Sequence, residues 1–141
     1  MKTKNLLTMA VIFLGALILV AFTIPQDQKK GGPWNIPDKY KTMKNPYAGN
    51  ADVTNVGKML YAKHCKSCHG NVGLGDGPKA ATLTTHCGDL SSAAWQKANS
   101  EGALYYMAII GRDEMPNFES KIPDEEDRWG VVNYLRTLTA K

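Results

Sequence analysis

Cysteine is too scarce here for a disulfide framework: the 141 residues hold three, Cys65, Cys68 and Cys87, a small and odd number. Charge of one sign is also missing. Seventeen Lys and Arg face thirteen Asp and Glu, a formal net charge of +4. Lys2 and Lys4 flank an N-terminal apolar run, so the remainder is close to balance, and no basic stripe stands out. That distribution argues against nucleic-acid binding. Internal repeats and low-complexity tracts are absent, which excludes a repeat array. Alternation of apolar and polar residues is absent too, which removes the usual sign of half-buried strands.

One long apolar run is present. Leu6 to Ile24 carry no charge, and only Thr8 and Thr23 are polar. A run behind two lysines at the N-terminus is an export signal. It is longer than the core of a cleaved peptide and close to the roughly 20 residues that span a bilayer. The cleavage options are poor, because Leu19 stands two residues before Ala21 and the alternative ends in Thr23. Residues 1–24 are therefore expected to be a signal or membrane-anchor segment, with the anchor favoured. No cysteine near them would take a lipid.

Residues 25–50 hold four of the seven prolines and Gly31-Gly32. They read as a linker or arm without regular structure. Trp34, Tyr40 and Tyr47 are costly to leave in water, so the second half of the arm is expected to lie on the domain that follows, residues 51–141. There the spacing predicts helices. Thr54 can cap one that starts at Asn55, with Val56, Met59, Leu60 and Lys63 on one face. Gly57, Tyr61 and Cys65 fall at i, i+4, i+8 on another, and a glycine there implies a close helix crossing, with Val131 and Tyr134 across it. Ser100 can cap a helix through Ile109 that Gly111 stops. Pro123 and the acidic run from Asp124 to Asp127 suit the start of a last helix. Trp129, Val132, Leu135 and Leu138 give that helix its apolar face.

The chemistry centres on Cys65-Lys66-Ser67-Cys68-His69, the C-x-x-C-H of covalent haem attachment. Two thiols one helical turn apart can add across the two vinyl groups of a porphyrin. The next residue then falls under the iron, where its imidazole is the proximal ligand. A redox dithiol would want a βαβ context, which is missing. A zinc site would need His86 and Cys87 as further ligands. Met115 lies in a polar loop with no core to fill, and its thioether suits the second axial position. Met107 and Met59 fit helix core faces. His86 is the alternative sixth ligand, whereas His64 sits on the same turn as the cysteines and cannot reach the opposite haem face. Pro78 offers a carbonyl that could hold the second ring nitrogen of His69.

These residues, in this order, resemble a class I mono-haem bacterial cytochrome c from about Thr54 to Leu138. The shared positions are Gly57-x-x-x-Tyr61, Cys65-x-x-Cys68-His69-Gly70, Gly75-Asp76-Gly77-Pro78, Asp89-Leu90, Gly111, Met115-Pro116-x-Phe118 and Trp129-x-x-Val132-x-Tyr134-Leu135-Arg136. The resemblance implies an all-α cytochrome c fold, with N- and C-terminal helices crossing beside one covalently bound haem c under His/Met coordination. It also implies export, because haem attachment occurs outside the cytoplasm. The expectation is a one-electron carrier with no catalytic residue, its iron cycling between Fe(II) and Fe(III) in a respiratory chain on the periplasmic side of a bacterial inner membrane. Its partners would be redox proteins. The alternative is an obligate haem subunit of a larger membrane oxidoreductase complex. Thr84-Thr85-His86-Cys87-Gly88 departs from the family's pattern, and Cys87 there reads as a small buried hydrophobe, a free thiol or an intermolecular crosslink.

Overall fold

The computed structural model describes residues 32–139. The apolar run at Leu6 to Ile24, and the choice between anchor and cleaved signal, lie outside them. Among the described residues no helix is long and apolar enough to cross a membrane. They are helical, with no strand and a single isolated bridge between Arg112 and Met115.

The arm is more ordered than its composition suggests. It carries a short helix, α1 (Asp38–Lys41), which follows Pro37. Ile36 and Asn45 are buried, and Trp34, Tyr40, Met43 and Tyr47 pack against the core. Tyr40 lies 4.8 Å from the Tyr106 ring, centroid to centroid. The Asn45 amide donates to Asn133 Oδ1 at 2.7 Å, and the Asn133 amide donates to the Tyr47 carbonyl at 2.8 Å. These aromatic rings and satisfied amides, rather than local helix propensity, fix the arm in place.

The helix α2 (Ala51–His64) begins earlier than Thr54. Asn50 is the cap, its side-chain oxygen accepting from Asp52 N and Val53 N at 3.0 and 3.1 Å. Thr54 sits inside the first turn, and its hydroxyl donates back to the Asn50 carbonyl. The buried face of α2 is Val53, Gly57 and Tyr61. Met59, expected on the core face, is 65% exposed. The reason is the crossing partner. Most of the α2 contacts are to the last helix, α6 (Glu125–Thr137). A Cβ on Gly57 would overlap the Gly130 carbonyl. Only a glycine face lets two backbones approach this closely, so Gly57 rather than Met59 turns inward. Tyr61 and Tyr134 meet at 5.1 Å beside the crossing.

Between these helices run α3 (Lys66–His69), a 3-10 turn (Ala80–Thr82), α4 (Ala93–Ala98) and α5 (Glu101–Tyr105). Ser100 caps α5 as expected, accepting from Ala103 N at 3.2 Å. After Tyr105 the helix widens into one π-helical turn, Tyr106–Ile110. Gly111, at φ +71°, ends it by donating to the Tyr106 carbonyl at 3.1 Å. The core joins α5, the π turn and α6 through Leu104, Ile109, Trp129 and Val132, all buried. The α4 segment was not legible in the sequence. It is tied to α6 by Gln96, which donates to the Leu90 and Leu135 carbonyls at 2.7 and 2.8 Å.

Candidate functional site

The turn that carries the motif is tightly fixed. Cys68 N and His69 N both donate to the Cys65 carbonyl, at 3.1 and 3.0 Å. The two thiols therefore stand one turn apart with His69 directly behind. Tyr61, one turn earlier on α2, donates its hydroxyl to the Gly70 carbonyl at 2.9 Å. Gly70 has φ +80°, and a Cβ there would overlap the Asp76 carboxylate. The following loop hangs on the motif's own carbonyls. Gly75 N, Gly77 N and Lys79 N donate to His69, Cys68 and Ser67 at 3.0, 3.1 and 2.8 Å.

These residues open on a cavity of about 650 Å³, within the roughly 300–1,000 Å³ of ligand sites. Cys65, Cys68 and His69 line it, and so does Met115, far away in sequence. Leu90, Leu104, Met107, Ala108, Phe118, Val131 and Leu135 supply apolar wall. His64, His86 and Cys87 also reach it. Burial pushes the Cys65 thiol up to about 12, the neighbouring Cys68 adding to the effect. Burial lowers the pKa of His69, which keeps the imidazole neutral, the form that binds a metal. His69 Nδ1 is buried with no hydrogen-bond partner, and so is His64 Nε2.

The cavity is large and mostly apolar, with two thiols and a neutral, unpartnered imidazole on it. That donor set fits a haem bound through thioethers and one axial nitrogen. It does not fit zinc. Among the described residues, no group of three or more His, Cys, Asp or Glu could hold a metal ion.

Pro78 lies between Gly77 and Lys79, which are bonded to α3, and it is exposed. His69 Nδ1, the nitrogen expected to bond its carbonyl, has no partner. The loop's attachments run through the backbone of its neighbours, which holds Pro78 beside α3 without joining it to the ring. His86 is exposed, and its Nδ1 accepts from Gly88 N at 2.9 Å. Cys87 is half-buried, with no disulfide, and its pKa is raised by burial and then by Cys68.

Sequence reasoning missed two charged residues at the cavity. Arg112 stacks over Trp34 with its guanidinium carbon 4.1 Å from the ring, and both line the cavity. Glu114 lies beside Met115 and accepts five hydrogen bonds from Thr84 and Thr85, which lower its carboxyl to about 2. Nothing local marks either residue, because their partners are distant in sequence.

An all-helical chain that closes two crossing helices over such a cavity is a mono-haem c-type cytochrome, whose covalent haem c serves electron transfer. Residues 52–135 match the family described as cytochrome c oxidase, cbb3-type, subunit III, and the chain belongs to that family. The fold is similar to the crystal structure of cytochrome CL from the marine methylotrophic bacterium Methylophaga aminisulfidivorans MPT. The two share 18% sequence identity with a TM-score of 0.53, over 81% of this chain and 72% of that one. Among curated proteins none matches. Cytochrome c domains of this kind are typically exported and exchange electrons with other redox proteins.

Proposed function

We propose that this protein is an exported one-electron carrier of a respiratory chain, with haem held by Cys65 and Cys68 and ligated by His69 and Met115. The observation that carries this reading is the meeting of Met115 with the C-x-x-C-H turn on one cavity. Bound haem supplies the Fe(II)/Fe(III) couple, and a thioether ligand favours the reduced state. The chain's part is to hold and shield. Cys65 and Cys68 fix the group covalently, and His69 offers a neutral ring nitrogen. Pro78, kept beside α3 by its neighbours' bonds, is the acceptor we assign to the second ring nitrogen once the haem is in place. Leu104, Val131 and Leu135 keep water from the ring, which lowers the reorganisation that accompanies electron transfer. Residues Leu6 to Ile24 would anchor the protein on the periplasmic side of a bacterial inner membrane.

A second reading is favoured by the family itself, which is described as an oxidase subunit. In it the domain is the obligate haem subunit of a larger membrane oxidoreductase complex. Size-exclusion of a mild detergent extract separates the two: a free carrier elutes alone, a subunit with its complex. The coordination is tested by Met115→Ala. The oxidised wild type should show the weak far-red band of a sulfur–iron(III) bond. The variant should lose it, bind carbon monoxide and show a lower potential. A band that survives Met115→Ala places the ligand elsewhere, with His86→Ala the next variant to make.

A further inference from the structure

Met115 sits on a tight turn whose backbone is strained. Met115 N donates to the Arg112 carbonyl at 2.8 Å, and Asp113 adopts φ +50°. A non-glycine residue in that region persists when its surroundings hold it there. The two charged residues beside Asp113 supply the hold. Glu114 accepts from Thr84 N at 3.0 Å through both carboxylate oxygens. It also accepts from Thr85 N at 2.9 Å and from both threonine hydroxyls at 2.8 and 2.9 Å. Arg112 reaches the other way. Its guanidinium donates to the Pro33 carbonyl at 2.7 Å and to the Gly32 carbonyl, and it covers the Trp34 ring. One turn is thus tied to two segments distant in sequence. Thr85 on one side and Trp34 on the other line the same cavity as Met115.

We propose that Glu114 and Arg112 are positioning residues for Met115, Glu114 tying its turn to the Thr84–Thr85 loop and Arg112 to the N-terminal arm. The proposal rests on the reading of Met115 as an iron ligand. Charge-assisted bonds from both sides resist swinging of the turn. They therefore set how readily an external ligand replaces the thioether.

The test titrates the oxidised, full-length holoprotein with imidazole and follows the far-red band, well below the unfolding temperature. Without imidazole, Glu114→Ala and Arg112→Ala should keep the band. Each should bind imidazole about threefold to tenfold more tightly than wild type, the scale of one ordinary net hydrogen bond, because the tethers lie at the exposed surface. The double variant should show the product of the two effects, because the tethers hold separate segments. Glu114→Gln, which keeps an acceptor oxygen, should show a smaller shift than Glu114→Ala. If Glu114→Ala does not assemble, Thr84→Val with Thr85→Val removes two hydroxyl donors and must still shift the affinity. Unchanged affinity in these variants, alongside a Met115→Ala protein that loses the band, overturns the tethers and leaves the ligand. A band that survives Met115→Ala overturns the ligand reading itself.

Discussion

The helix α2 has two neighbours of opposite character. Along its length it meets α6 glycine against glycine, with the Gly57 position pressed on the Gly130 carbonyl and the Tyr61 and Tyr134 rings sealing the edge. At its C-terminal end it delivers Cys65 to a cavity walled by Leu90, Leu104 and Leu135. The first contact is backbone against backbone. The second is an apolar wall that carries two thiols and an imidazole. The lesson is that one end of α2 serves packing within the chain and the other serves attachment of the cofactor. A domain of this size buries little on its own.

The comparison is broken most severely at the cavity. Cys65→Ala with Cys68→Ala removes the covalent attachment, and the domain should then fail to fold, losing the group that fills its core. Haem staining of a denaturing gel should be lost, and circular dichroism should show an unfolded chain. A stable, helical, haem-free double variant would show that the cavity side closes without a guest.

A second break strikes the helix crossing. Gly57→Ala puts a Cβ into the Gly130 carbonyl, and backbone cannot give way as a side chain can. Overpacking costs about 1–3 kcal/mol and occasionally more, and we expect the upper end. The holoprotein should keep its covalent haem and ligand spectrum but unfold at clearly lower guanidinium concentration. A wild-type midpoint would refute the dry crossing.

Finer resolution comes from the two methionines of the cavity wall. Met107 is buried on the π turn, and Met107→Leu should cost under about 1.5 kcal/mol and leave the haem spectrum unchanged, as volume-conserving core swaps do. Spectral change in Met107→Leu equal to that in Met115→Ala would erase the distinction between wall and ligand.

The smallest effect belongs to the surface. Lys66, between the two attachment cysteines, and Lys79, after Pro78, are both exposed. Reversing both charges should slow electron transfer to an acidic partner chiefly through the association rate, and added salt should shrink the difference. An unchanged rate at low salt would remove these lysines from the partner surface.

The attachment turn was readable in the sequence because its geometry is local. Five consecutive residues on one helical turn place two thiols and an imidazole, and no distant contact is needed to aim them. The Ser100 cap and the apolar face of α6 were legible for the same reason. The all-α fold followed from helical spacing and from the ordered motifs of a recognisable family. The crossing face of α2 was legible as well, since a glycine inside a helix at Gly57 implies a close approach. Tertiary structure decided that Met59, which periodicity also offered to the core, stays in solvent. Asn50 took the cap from Thr54 because the helix extends backwards where packing against α6 rewards another turn. The arm acquired order from rings that meet Tyr105 and Tyr106 and from amide bonds whose partners lie 86 and 88 residues away. Glu114 and Arg112 were invisible in the string, since their meaning comes from Thr84, Thr85 and Trp34. Sequence determined the chemistry that can be built within one turn. Contacts between distant segments determined how that chemistry is enclosed, because only packing decides which of several apolar faces is buried and which charges find each other.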